Sequence, residues 1–516
     1  MPESGKPGAD RALTVEVGGR TSAPGAPVLR TRVFQNAAVL LSGRGVTLLI
    51  SAGASAILAR YLGNERFGQF GAIYAYLSLF TWLAAFGIEP LFTREAARHR
   101  EQASSILLTG MAICAVLSLG ATLMALTLAP RAGYRGGLHV LLLFAALDVL
   151  LLLPFRIPAA VFQVDLRQWY STGINLFRQL LWLVLVGVLA LLNAPLLHVV
   201  FARLLAALAE AGLNWRVSHR FLPPPRVILF DKIKPFLAQS FPVALTGLVV
   251  AVYMRIDQVM LHNLASDRVL GDYVAAVKVA ELFEALPAAI LFSVFPVLSA
   301  VAGQDERFQQ YLGRIFRYLS VAACGICVAI TVAARPLVAV LYGARYQAAA
   351  PLLTVLIWSE VAVFFGSVVL TALLACGLQK FAVAPTATGA LANVVLNIFL
   401  IPRYGAMGAA WATLVSYSLA WLVVPLAFSS TRALVLRGLR IVLRAAAWAF
   451  GGAAFAWLTR TPVLVALPMA LGVYVLGVWF TRLIQRDDFA YVWAALSGTL
   501  ARSNWERADS VGEDLG

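Results

Sequence analysis

The chain has 516 residues, 61% of them hydrophobic and 13% charged, and a formal net charge of +16; its mean hydropathy is +0.82. Soluble domains carry roughly 25% charged residues, so this composition excludes an ordinary soluble enzyme. Apolar runs of about 20 residues recur along the chain, the length of a helix that crosses a bilayer core, without the short alternating segments of a transmembrane barrel; the reading is an all-α polytopic membrane protein.

In chain order, residues 1–32 are rich in Gly, Pro and Ser with scattered charges. They lack the apolar core and cleavage pattern of a signal peptide and are expected to form a disordered tail. Fourteen candidate spans follow, at about 34–58, 68–89, 104–129, 138–162, 170–191, 195–215, 236–261, 270–299, 318–334, 349–375, 381–401, 406–428, 445–459 and 463–482. The ninth and thirteenth are the shortest. The pattern divides into a six-helix lobe over 33–219, a linker over 220–235 containing RFLPPPRVILFDKIK, a second six-helix lobe over 236–428, two further helices within 440–482, and a polar tail over 483–516.

The distribution of Lys and Arg sets the expected orientation. With both termini on one side, 26 of the 41 basic residues fall on that side and nine on the other (Arg60, Arg66, Arg131, Arg135, Arg268, Arg335, Arg345, Arg403 and Arg460). Basic residues collect on cytoplasmic loops, so both termini are expected in the cytoplasm, in a bacterial inner membrane. The same rule accounts for the net charge without a nucleic-acid partner. The loops on the opposite face are short, the longest near 334–348, and leave no room for a folded catalytic domain.

An internal repeat supports the two lobes. LGNERFGQFGAIYAYLSLF (62–80) and LASDRVLGDYVAAVKVAEL (264–282) each carry an acid followed by Arg, then Gly, a polar residue and an aromatic, then an apolar run. One residue of offset aligns them. Such repeats place transport sites at their interface. The four cysteines lie in apolar spans, and Cys324 and Cys327 in SVAACGICVAI read as small packing residues rather than a redox or metal pair. The five histidines form no ligand cluster in the sequence.

Three stretches resemble the Wzx-type polysaccharide (O-antigen) flippases of the MOP exporter superfamily. They are ARYLGNERFGQFGAIYAYLSLFTWLAAFGIEPLFTREAARHRE (59–101), RIDQVMLHNLASDRVLGDYVAAVKVAELFEALPAAILFSVFPVLS (255–299) and GALANVVLNIFLIPRYGAMGAAWATLVSY (389–417). The resemblance covers about 33–482. It implies a MOP/MATE-like fold and alternating-access transfer of a polyprenyl-diphosphate-linked oligosaccharide to the outer leaflet for cell-surface polysaccharide synthesis. Membrane lipids and polysaccharide polymerase or assembly proteins are the implied partners.

Ionisable residues inside spans cost about 2.5–3.5 kcal/mol each at the bilayer centre on insertion scales and belong in interiors or wet cavities. A diphosphate ligand calls for cations, and arginine matches phosphate with its planar donor head. Arg44, flanked by Gly43 and Gly45, and Arg178, Arg203, Arg255 and Lys278 are therefore the candidate substrate-binding residues. Arg156, near a helix end, is expected to snorkel, and Arg178 and Arg203 can alternatively pair with Glu210. Arg255 and Asp257 stand two apart and do not share a helical face, whereas Lys278 and Glu281 stand three apart and can pair.

Asp257, Glu281, Glu284 and two lone mid-span acids, Asp148 and Glu360, are the candidates for coupling to a proton or sodium gradient; no other cofactor is expected. Asn393 and Asn397 are expected to hydrogen-bond between helices, and Gly405, Gly408, Ala409 and Ala412 to form a close-packing face. The alternatives are a MATE-type multidrug or cation antiporter, whose pocket would favour carboxylates over the cations present here, and a lipid II flippase. An integral-membrane glycosyltransferase or polymerase would need catalytic groups on outward loops that hold little beyond Glu65 and Asp267.

Overall fold

The structure is a computed structural model that describes residues 26–165, 167–222, 227–302, 304–459 and 461–483; the side chains of 26–42, 44, 305 and 430 lie outside the description. Residues 1–25 and 484–516 of the expected tails, the PPP of the linker and Arg460 fall outside the described residues; residues 26–32, expected in the tail, open the first helix, and the described residues hold helices and connecting turns without strands.

Helix α1 (Ala26–Ala85) is 60 residues long and kinks at Gly63, where φ is 72°, a conformation that glycine adopts without a Cβ penalty. A straight helix of that length would measure about 90 Å at 1.5 Å per residue, three times a bilayer core. It must therefore double back, and Gly63 divides it into two arms. After α1 come α2 (Ile88–Arg98), α3 (Ala103–Leu128), α4 (Gly137–Ala146), α5 (Ala160–Val164), α6 (Gln168–Leu191) and α7 (Leu196–Ser218). The second half holds α8 (Phe230–Leu264), α9 (Asp267–Ala280), α10 (Ala285–Ala300), α11 (Asp305–Tyr342), α12 (Ala349–Ala375), α13 (Val383–Tyr404), α14 (Ala406–Ser418), α15 (Ser429–Thr459) and α16 (Val463–Phe480). Thirteen stretches among the described residues are long and apolar enough to cross a membrane, and the first, Gly45–Arg98, contains the Gly63 reversal. Counted as two crossings, it brings the total to the fourteen read from the sequence.

The two shortest expected spans are in fact long helices: α11 has 38 residues and α15 has 31. Hydropathy truncated them because their ends carry Arg307, Arg314 and Arg317, and Arg432, Arg437, Arg440 and Arg444. Such residues lay apolar stems along the helix while the charged heads reach water.

Two spans are broken at membrane depth. Between α4 and α5 the chain makes a π turn (Leu147–Leu151) and then a 3₁₀ stretch (Leu153–Ala159) containing Pro154 and Pro158, which cannot donate to the helical ladder. Between α9 and α10 a 3₁₀ turn spans Glu281–Phe283, shortly before Pro287. Irregular backbone is tolerated at this depth only inside protein or beside a wet cavity, and both breaks carry acids, Asp148 and Glu281.

The repeat copies meet each other. The second arm of α1 crosses α9 so closely that a Cβ on Gly68 would lie 1.8 Å from the Asp267 carbonyl oxygen, and one on Gly271 would lie 1.9 Å from that of Asn64. The Asn64 side-chain amide donates to Asp272 (2.5 Å) and to the Arg345 carbonyl (3.1 Å). Tyr346 donates to the Ala59 carbonyl (2.9 Å), and the Arg60 guanidinium donates to the carbonyls of Leu341 and Val340. This clasp closes the face opposite the basic loops. The expected small face of α14 is present too: Gly408 abuts the Leu400 backbone, and Ala409 and Ala412 are buried.

Gly271→Ala is expected to destabilise the clasped form by about 1–3 kcal/mol, the usual cost of overpacking. The measurement is the Tm of the purified protein in detergent beside Gly313→Ala, a position with open space around it. Equal Tm values for the two variants would contradict the seam.

Candidate functional site

A cavity of about 340 Å³ lies under the clasp, bounded by both arms of α1, α6, α7, α8 and α9. Four of the five candidate substrate-binding residues line it: Arg178 from α6, Arg203 from α7, Arg255 from α8 and Lys278 from α9. The fifth, Arg44, lies on the first arm of α1, and its side chain is outside the described residues. No linear pattern connects positions 178 to 278. The crossing of the helices brings them together.

Each cation is held by a carboxylate. On one side Asp148 accepts from Arg203 (3.0 Å) and Arg156 (3.2 Å), while Glu210 lies 3.3 Å from Arg178 and 3.7 Å from Arg156. On the other side Glu281 accepts from Arg255 (2.7 Å) through one oxygen and from Lys278 (2.7 Å) through the other. The π turn presents Asp148 and the 3₁₀ turn presents Glu281, so both helix breaks have the same consequence. Asp148, Glu210 and Glu281 are not part of the cavity wall themselves; they hold the cations from behind. Five cations against three carboxylates leave these two networks with a surplus of two positive charges.

Three sequence expectations change. Asp148 is not a lone acid but the centre of an arginine pair. Arg156 does not snorkel: the 3₁₀ stretch turns it inward to bridge Asp148 and Glu210. Arg203 pairs with Asp148 of the π turn (3.0 Å) rather than with Glu210, which stands about two helical turns further along α7. The expected Lys278–Glu281 pair is present, and Arg255 and Asp257 are not hydrogen-bonded to each other.

The remaining acids lie apart from the wall. Asp257 is buried and accepts from the Tyr273 hydroxyl and from the Gln258 backbone N–H (2.7 Å); Tyr273 lies 3.3 Å from the Thr413 hydroxyl, tying α8, α9 and α14 together. Glu360 is buried on α12, its Oε2 has no hydrogen-bond partner among the described residues, and Glu284 and Glu281 lie within electrostatic range of it. Asn393 donates to Ser416 (3.1 Å) and Asn397 to Asn393 (2.9 Å), a polar contact from α13 to α14. Cys324 and Cys327 are buried thiols in α11, and Cys327 donates to the Ile357 carbonyl (3.1 Å).

Sequence reasoning missed the aromatic and neutral polar part of the wall. Tyr74 packs its ring 4.2 Å from the Arg203 guanidinium, with Trp182 and Phe70 at 5.9 and 6.0 Å, within cation–π range. The available signal was Phe67, Phe70 and Tyr74, which recur every three or four residues along one face of the second arm of α1. Gln179 and Gln258, each beside a residue already singled out, also line the cavity.

The fold is one this chain shares with solved membrane transporters. Over 86% of this chain and 99% of the other, the structure matches the lipid II flippase MurJ in an inward closed conformation, with a TM-score of 0.68 and 15% identity. It matches an inward-facing multidrug resistance MATE transporter of the MOP superfamily over 77% and 95%, with a TM-score of 0.60 and 16% identity. A MOP superfamily transporter from Pyrococcus furiosus, described as having a binding pocket of reverse polarity, matches over 84% and 100%, with a TM-score of 0.54 and 15% identity. At these identities the likeness is one of fold.

The polysaccharide biosynthesis protein family matches residues 33–302, just over half of the chain, and the chain belongs to that family. The MatE family matches residues 242–399. The probable flippase AglR of Haloferax volcanii is 29% identical over 172 residues, 32% of this chain and 36% of that protein. An uncharacterized membrane protein of Methanocaldococcus jannaschii is 24% identical over 131 residues, 25% of this chain and 26% of that protein. The matched stretches thus span about a third and a quarter of these two relatives.

Removing one partner of a buried ion pair costs about 3–5 kcal/mol, and less where the stranded charge can reach water. Arg203 retains 34% exposure, so Asp148→Asn is expected to destabilise by on the order of 1–3 kcal/mol. Thermal melting in detergent checks this, and the double variant Asp148→Asn/Arg203→Met should recover part of the loss. A wild-type Tm for Asp148→Asn would contradict the clamp.

Proposed function

We propose that this protein flips a polyprenyl-diphosphate-linked oligosaccharide across the cytoplasmic membrane, from the face carrying the basic loops to the opposite face, for cell-surface polysaccharide synthesis. The observation that carries the reading is the charge of the cavity. Its two networks hold a surplus of two positive charges, matching the two negative charges of a diphosphate diester. Arginine and lysine heads supply charge-assisted hydrogen bonds to phosphate oxygens, and Gln179 and Gln258 add neutral donors for sugar hydroxyls.

The carboxylates give the site a way to load and unload. Glu281 holds both Arg255 and Lys278. An arriving diphosphate competes for the same donors, drawing Arg178 and Arg203 from one side and Arg255 and Lys278 from the other onto one ligand. A ligand shifts a conformational equilibrium only through contacts that differ between states. A bridging diphosphate makes such contacts, and the clasp at Asn64 and Asp272 is the gate that must then part. Asp257 and Glu360 are the acids proposed for coupling to a proton or sodium gradient. Glu360 is the better placed for a proton, since its Oε2 lacks a hydrogen-bond partner among the described residues.

A lipid II-type substrate presents the same diphosphate, and the fold match to MurJ favours it as a second reading. The MATE-type reading shares the fold, but an organic cation would meet a wall bearing four cationic side chains. Polysaccharide polymerases or assembly proteins on the far face are the proposed partners.

Native mass spectrometry of the purified protein tests the substrate class, with a polyprenyl-diphosphate oligosaccharide offered beside a lipophilic cation. The diphosphate lipid is expected to bind, and Arg255→Ala and Lys278→Ala each to weaken it about tenfold, the loss of one charge-assisted contact. Binding of the cation alone would overturn the reading. Diphosphate binding untouched by either substitution would overturn the site.

A further inference from the structure

Helix α15 carries unpaired charge on a face that looks into the bilayer. Its inner side is a regular stripe: Val435, Val442, Ala445 and Ala449 are buried, and Gly438 on the same stripe meets α11 so closely that a Cβ would lie 2.8 Å from the Phe316 ring. The outer side is exposed. Arg437, Arg440 and Arg444 stand there at i, i+3 and i+7, on one stripe of the helix. Leu436 and Leu443 are interleaved with them at 40% and 58% exposure. Further along, the stripe runs through exposed Ala447, Gly451, Phe455 and Leu458 and holds no polar side chain. A face of that composition is turned to lipid, not to water.

The depth of the arginines follows from length. α15 has 31 residues, about 46 Å at 1.5 Å per residue, against about 30 Å of hydrocarbon. Counted back from Thr459, the end opposite the basic loops, Arg444 lies about 22 Å down, Arg440 about 28 Å and Arg437 about 33 Å. The stripe therefore crosses the edge of the hydrocarbon on the side of the basic loops. A guanidinium at that level stretches its head to the phosphate layer and calls for a counter-charge. The cavity cations each have a carboxylate within 4 Å. Arg437, Arg440 and Arg444 have none among the described residues. Arg437 donates to the neutral Gln309 side chain of α11 (3.3 Å), and Glu306, near the start of α11, accepts from Gln310 (3.5 Å).

We propose that Arg437, Arg440 and Arg444 form a binding site for the headgroup phosphate of an anionic phospholipid, in the leaflet on the side of the basic loops. The inference is independent of the substrate reading, since the stripe lies on the lipid-facing side of α15 and not in the cavity. Guanidinium groups bind phosphate oxygens through paired charge-assisted hydrogen bonds, and basic residues between membrane helices at this level recognise anionic headgroups. Charge complementarity selects the lipid. A zwitterionic headgroup brings its own cation beside the phosphate and repels the second and third arginines, whereas an anionic headgroup does not. Through Arg437 and Gln309 the bound lipid would also tie α15 to α11, and so the two additional helices to the second lobe.

Native mass spectrometry of the full-length protein tests the site with dioleoyl phosphatidylglycerol and dioleoyl phosphatidylcholine. The wild type is expected to prefer phosphatidylglycerol at least about tenfold. Arg440→Gln/Arg444→Gln should weaken that lipid about twentyfold, some fivefold for each arginine, and Arg440→Lys/Arg444→Lys should stay within about threefold of the wild type. Arg432→Gln is the control: Arg432 lies at the same end of α15 but off the stripe, and it donates to the Leu426 carbonyl (2.9 Å). It should change binding by less than about twofold. Equal binding of the two lipids, or an equal loss in Arg432→Gln, would reduce the stripe to diffuse surface charge and overturn the site. Displacement of phosphatidylglycerol by millimolar inorganic phosphate would overturn its assignment to a lipid. A loss in Arg255→Ala with none in Arg440→Gln/Arg444→Gln would place the lipid in the central cavity instead. Phosphatidylglycerol binding that appears only in Asp487→Asn/Asp488→Asn would mean that the chain's own acidic tail fills the stripe, and the proposal would fall.

Discussion

An arginine that crosses into a layer of low dielectric has to be given a counter-charge or water. Arg156, Arg178, Arg203, Arg255 and Lys278 stand within apolar spans, and the architecture around them follows from that constraint. Each meets a carboxylate: Asp148 and Glu210 on one side, Glu281 on the other. Two of those carboxylates, Asp148 and Glu281, stand in helix breaks at Leu147–Ala159 and at Glu281–Phe283, and Glu210 stands on the unbroken α7. Buried pairs of this kind add little net stability over apolar packing, so their presence calls for another explanation. Cations that are paired but still exposed to a cavity are available to a competing anion. In that sense the networks hold the site in readiness rather than hold the fold together.

The rest of the scaffold encloses that site. The repeated glycines, Gly68 and Gly271, let α1 and α9 approach to backbone contact, and Asn64, Asp272, Arg60 and Tyr346 close the face above the cavity. Small residues at such crossings allow close packing where there is no hydrophobic force between helices. The kink at Gly63 turns the chain at this same seam. One end of the cavity is therefore sealed by short polar contacts, which can part. A site enclosed in this way needs no large extramembrane domain, and the described loops are short.

Much of the architecture was legible in the sequence, and the reasons are physical. Span length is fixed by bilayer thickness, so fourteen crossings could be counted from hydropathy. The repeat around Gly68 and Gly271 could be seen because close backbone approach demands glycine at both copies. The four cations that line the cavity could be named because an ionisable residue in an apolar run has few places to go. The pairings were less accessible. Lys278 and Glu281 are neighbours on one helix, and their contact follows from spacing. Arg203 meeting Asp148 depends on a π turn that no periodicity announces, and Arg156 turns inward on a 3₁₀ stretch set by two prolines. The aromatic box around Arg203 was hidden because Phe70, Tyr74 and Trp182 look like ordinary span residues until the helices are placed together.

The central claim is that the cavity is a carrier for a doubly negative lipid head. Its most direct test is leaflet translocation in proteoliposomes containing the wild-type protein. A fluorescent undecaprenyl-diphosphate oligosaccharide is followed by quenching from outside, beside the corresponding neutral glycolipid and a lipophilic cation. The account predicts that the diphosphate lipid changes leaflet at a rate well above protein-free vesicles, while the neutral glycolipid and the cation do not. Transport of the cation with no movement of the diphosphate lipid would contradict it.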